Sequence, residues 1–128
     1  MTTISLDVLK HELAHIAGGR VAGAKVCKLW HDGESWMVTN AWPSRPTDEA
    51  KALGFLSAVM LAPEEASDDD LGAVALIPAD VAERLRHVVE DQVRPIWLEL
   101  IADEANLLAM QETCEAEGGL VVEWDTLH

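Results

Sequence analysis

The sequence predicts an α+β domain that is mostly helical, and three observations carry that expectation. Apolar residues recur three and four positions apart through several segments that open on a capping residue or a proline. Residues 24–42 instead alternate apolar and polar positions around an Asp-Gly pair, the mark of a β-hairpin. The 128 residues, 49% hydrophobic and 25% charged, suffice for one core without disulfides or structural metal. A single domain spanning residues 1–128 is therefore expected.

The elements follow in order. Ser5 can cap a helix whose stripe is Leu6, Leu9, Leu13, Ile16 and Ala17, with Asp7 suited to the positive end of its dipole and Gly18-Gly19 to end or loosen it. Residues 24–30 and 35–42 read as two strands, joined by a turn at His31-Asp32-Gly33-Glu34 and closed by Pro43 and Pro46. Thr47 can cap a helix over residues 48–61, its core face Leu53, Phe55, Leu56, Val59 and Met60, with Pro63 beyond its end. An acidic connector, residues 64–70, leads into an apolar segment over 71–77. Pro78 suits the first position of a helix running through Val81, Leu85, Val88 and Val89. Pro95 should kink or restart that helix, residues 96–114 continue it, and Gly118-Gly119 stop it. A short strand or extended tail remains at 120–124. The small sheet is expected beside the first helix, with a helical bundle towards the C-terminus.

Charge and cysteine usage narrow the function. A net charge of −14 argues against nucleic acid and against anionic membrane surfaces as partners, since no basic stripe offsets it. Cys27 and Cys114 belong to no C-x-x-C pair and are expected as reduced thiols. The longest apolar stretch, near residues 59–63, is far below the roughly 20 residues needed to span a bilayer. With no basic segment followed by an apolar run at the N-terminus, the expectation is a soluble, cytoplasmic protein, with homo-oligomerisation left open.

The strongest chemical signal is His11-Glu12-Leu13-Ala14-His15, an HExxH motif inside the first helix. Residues four apart share a helix face, so two imidazoles can grip one Zn2+, while the adjacent carboxylate of Glu12 can act as general base towards a water at the ion. A catalytic zinc needs a third protein ligand. The metzincin pattern asks for a histidine where this chain has Val21. A thermolysin-like glutamate finds Glu34 in the hairpin turn, badly placed, and Glu49 at a helix start. Asp68-Asp69-Asp70 offer aspartate instead.

The succession HELAH, then KVCKLWHDGESWMVTNAWP, then an apolar helix ending AVMLAPEE, then ASDDDLGAVA resembles the peptidase domain of FtsH-type membrane ATP-dependent zinc proteases, over about residues 6–75. The resemblance implies a zinc-dependent metalloendopeptidase acting on a peptide or protein substrate. It places the third ligand as an aspartate in an A-S-x-D-[IL]-like segment opening a helix. Ala66-Ser67-x-Asp69 is the ungapped match; Asp70-Leu71 matches the Asp–aliphatic pair and puts its carboxylate on the face of Val74. Asp69 and Asp70 both stand as candidates for the third ligand beside His11 and His15, one to hold the metal and the other to face water. The chain departs from the family in carrying no Walker motif and no membrane segment, so it resembles a stand-alone relative, and processive degradation is not implied.

Two further readings compete. One is the ImmA/IrrE-like group of regulatory metallopeptidases, whose third ligand would correspond to Glu49. The other is a catalytically silent, peptidase-like interaction module. His31, His87 and His128 are expected to be loop, surface and terminal residues without a zinc role. Trp30, Trp36 and Trp42 are expected to pack the hairpin against the helices, an exposed substrate groove being the alternative. An edge of residues 25–30 or 35–41 is a further candidate for holding extended substrate by backbone pairing.

Overall fold

The computed structural model describes residues 5–24, 26–31, 36–41 and 48–123. The hairpin turn, the proposed Thr47 cap, Trp42, Trp124 and His128 lie outside the described residues, as do the side chains of His31 and Trp36. The architecture is mostly helical with one small antiparallel sheet, as the sequence predicts. Among the described residues no helix is long and apolar enough to cross a membrane.

Helix α1, Leu6–Val21, is the centre of the molecule. Ser5 caps it, its side-chain oxygen accepting the Val8 N–H at 3.2 Å. The helix is buried on several faces, at Leu9, His11, Leu13, Ala14, Ile16 and Ala17, because α2, α5, α6 and the sheet all pack around it. Gly18-Gly19 neither end nor loosen it. They lie inside the last turns and are buried, and the chain leaves the helix only after Val21. The reason is packing: a methyl group on Gly18 would stand 3.0 Å from the Gly54 Cα and 2.6 Å from Ser57 Oγ. Glycine there lets α1 and α2 touch backbone to backbone.

Strands β1, Val26–His31, and β2, Trp36–Ala41, form the expected hairpin with Val26 opposite Ala41 and His31 opposite Trp36. The C-terminal segment is a full strand, β3, Gly119–Glu123, which pairs antiparallel with β1 from Trp30↔Gly119 to Val26↔Glu123. The order β2-β1-β3 makes β1 the central strand. Both edges of β1 are therefore occupied, and the expectation that residues 25–30 hold a substrate strand is withdrawn; the outer edge of β2 pairs with no strand among the described residues. Cys27 and Leu29 point into the core while Lys28 faces out, with its Nζ 5.9 Å from the centre of the Trp30 ring.

Helix α2 spans Asp48–Leu61, the range the capping and proline signals predict. A 3-10 turn at Pro63–Glu65 follows, then α3, Asp68–Ala75, and α4, Ala79–Val88. Pro78 sits one position earlier than predicted, at the N-cap of α4. Beyond α4 the chain widens into a π segment, Val89–Val93, before α5, Arg94–Ile101. Pro95 has no N–H to give a preceding carbonyl, which accounts for the irregular ladder just before it. The wider turn also lets Val89 and Val93 both bury completely.

The single helix expected over 96–114 is in fact two. Asp103 accepts the Ala105 N–H at 3.0 Å and starts α6, Glu104–Glu117. Gly118, at φ 74°, then turns the chain out of α6 and into β3. Cys27 and Cys114 are both buried thiols.

Candidate metal centre

His11 and His15 project from α1 on one face, four residues apart. Opposite them α3 presents Asp70, whose Oδ2 lies 2.9 Å from His11 Nε2 and whose Oδ1 lies 3.0 Å from His15 Nε2. The two imidazoles meet edge to face, their ring centres 5.4 Å apart. One ligand atom from each of the three residues lies within 4.8 Å of the others. His11 is buried to 2% exposure and Asp70 to 7%, so the cluster sits under the surface at the junction of α1 and α3.

The remaining candidates fall elsewhere. Asp69 is exposed, one residue before Asp70 and turned out of the cluster. Glu49 is also exposed and is held by Arg84 of α4 through two bonds of 2.7 and 2.8 Å. His87 is exposed, as expected. Phe55, predicted as core, is only half-buried and instead stacks edge-on against His15 at 5.5 Å.

Two contacts orient the cluster that sequence reasoning did not supply. The carbonyl of Ala62, just past the end of α2, accepts a hydrogen bond from His11 Nδ1 at 2.8 Å. A carbonyl offers no residue-specific signal, so nothing in the sequence marks it. The other contact is legible. Ser67 and Asp70 form a capping box, in which Asp70 Oδ2 accepts the Ser67 N–H at 3.0 Å and Ser67 Oγ accepts the Asp70 N–H at 3.1 Å. The spacing Ser67-x-x-Asp70 is that of such a box, and it distinguishes Asp70 from Asp69.

The electrostatics of the cluster ask for positive charge. His11 faces an acceptor on each ring nitrogen, the Ala62 carbonyl on one side and the Asp70 carboxylate on the other. A neutral imidazole has one N–H and satisfies only one of them. Either a proton or a metal cation must lie between Nε2 and Asp70. Burial works to raise the Asp70 carboxyl, but hydrogen bonds from His11, His15 and the Ser67 N–H outweigh it and hold the group far below the usual carboxylate range. Burial works to lower His11, and the bonds to Asp70 and Ala62, with the charge of Glu12, leave it raised. Glu12 is itself raised, chiefly by burial, against the opposing pull of His15 and His11.

The donor set fits zinc. Two imidazole nitrogens and one carboxylate oxygen are ligands that ion accepts in its catalytic sites. Bonds of about 2.1 Å in a tetrahedron set neighbouring donors about 3.4 Å apart. The separations of 2.9 and 3.0 Å are tighter, as hydrogen-bonded pairs are, so admitting the ion requires Asp70 to move outward from the imidazoles. A cleft of about 220 Å³ opens beside Ala62, lined also by Asp7, Lys10, Glu64, Glu65 and Trp97. It lies on the side of α1 away from Glu12, so it flanks the carbonyl that orients His11 rather than the approach to Glu12. Comparison of the chain with known protein families, curated proteins and solved structures found no match.

Proposed function

We propose that this chain is a zinc-dependent metallopeptidase, hydrolysing peptide bonds of a peptide or protein substrate. The observation that carries the reading is the convergence of His11, His15 and Asp70 from two helices, with Glu12 beside them. His11 Nε2, His15 Nε2 and a carboxylate oxygen of Asp70 would hold the ion. Bound there, zinc supplies Lewis acidity towards a water molecule and a scissile carbonyl.

The chain's own residues then do the following. The Glu12 carboxylate accepts a proton from the attacking water and passes it to the leaving amine nitrogen. Burial, which raises its pKa, makes it a stronger base than a surface glutamate. The Ala62 carbonyl keeps the His11 proton on Nδ1, leaving the Nε2 lone pair for the metal.

The helix–hairpin–helix order with an aspartate on a following helix supports kinship with the FtsH-type peptidase domain over the ImmA/IrrE-like reading, because Glu49 is engaged by Arg84. Two buried, reduced thiols suit a reducing compartment. The test is Glu12→Gln. Zinc should stay bound at one ion per chain while cleavage of a peptide library disappears. A parent that binds zinc and cleaves nothing would favour the interaction module; cleavage unchanged in the variant would end the mechanism.

A further inference from the structure

Asp70 Oδ2 is shared between two structures. It faces His11 Nε2 at 2.9 Å, and it accepts the Ser67 N–H at 3.0 Å as half of the box that starts α3. Of the eight residues of α3, only Asp70 is buried. Leu71 is half exposed and Asp68 and Asp69 face outward. The Asp70 carboxylate is thus held by polar contacts more than by its own helix: by the two imidazoles it faces and by Ser67. The Ser67 pair is the part of that hold that lies outside the imidazoles: Ser67 Oγ anchors the Asp70 backbone at 3.1 Å while the Ser67 N–H anchors its carboxylate.

We propose that Ser67 is a positioning residue of the metal centre, acting through Asp70, so that capping α3 and presenting the third ligand are one interaction. The proposal rests on the reading of His11, His15 and Asp70 as a zinc site. Both side-chain-mediated hydrogen bonds of Ser67 go to Asp70 and neither to an imidazole. Ser67 sets the rotamer in which both carboxylate oxygens face the imidazoles, and affinity for the ion depends on that setting.

The experiment compares zinc dissociation constants, by competition with a chromophoric chelator, in the full chain and in Ser67→Ala, Ser67→Gly and Ser67→Thr. Glycine caps a helix nearly as well as serine but has no oxygen to accept the Asp70 N–H. Circular dichroism follows folding in each. Both Ser67→Ala and Ser67→Gly should weaken zinc binding tenfold or more, the range for a residue orienting a ligand, and Ser67→Thr should restore it to within about twofold of the parent. A folded Ser67→Gly that binds zinc like the parent overturns the proposal and leaves the metal site standing. A parent that binds no zinc overturns both.

Discussion

Thermal denaturation with and without zinc separates the acidic candidates. A chain of 128 residues unfolds with an entropy of about 2.1 cal/mol/K per residue near its melting temperature, or roughly 0.27 kcal/mol/K in all. Zinc at a hundred times its dissociation constant stabilises the folded state by about 2.7 kcal/mol, so the melting temperature should rise by about 10 °C. Asp70 is the carboxylate between the two imidazoles. If three ligands share a binding free energy of order 10 kcal/mol, Asp70→Asn costs about 3 kcal/mol, or two decades of affinity. At the same zinc concentration the shift should then fall below about 2 °C. Asp69→Asn and Glu49→Gln should keep the full shift, since Asp69 is exposed and Glu49 is paired with Arg84. Differential scanning calorimetry, each variant against its own metal-free form, reads the outcome. A full shift in Asp70→Asn, or its loss in Asp69→Asn, would refute the assignment.

Other outcomes follow from the same geometry. In the metal-free protein, the raised pKa of His11 adds stability that is complete below 6.5 and lost as pH rises through the raised value. The depressed pKa of Asp70 adds stability that is complete above 3.8 and lost as pH falls towards its folded value. Urea unfolding of the metal-free chain should thus show these groups contributing most between about pH 4 and 6.5. Saturating zinc should move the maximum above 6.5, because the ion needs unprotonated imidazoles; a zinc-loaded profile identical to the metal-free one would contradict this. Gly18→Ala places a methyl group 2.6 Å from Ser57 Oγ and should cost about 1–3 kcal/mol, read by urea unfolding. Gly54→Ala meets nothing closer than the His15 carbonyl at 3.7 Å and should stabilise by about 0.5–1 kcal/mol through helix propensity.

What the sequence revealed was local. Helix α2 was legible to its bounds because Asp48-Glu49 open it and Pro63 follows its end, and His11 and His15 were legible because their spacing alone puts them on one face. Errors arose where a tertiary contact overrode a local signal. Gly18-Gly19 look like a terminator, yet their lack of side chains serves the α1–α2 contact. The break at Asp103 is hidden in the sequence although an aspartate is a good cap, because the apolar pattern runs on past it. The place of β3 against β1 is a pairing across about ninety residues, which no local pattern encodes. Asp69 and Asp70 were indistinguishable by acidity, and it took the Ser67 box and the facing helix to separate them.

The glycine contact between α1 and α2 bears on how this molecule tolerates change. His15 lies one turn before Gly18, and its carbonyl passes close to Gly54. The two helices thus meet at Gly18 through the main chain of Leu53 and Gly54 and the short side chain of Ser57. Leu107, on α6, can vary in size, and the loss should register as melting temperature while the His11–His15 spacing, set within one helix, holds. Variation at Gly18 is of another kind: it moves the helix that carries both imidazoles. A library that randomises core leucines away from α1, such as Leu107, should yield many weakly stable proteins that still bind metal.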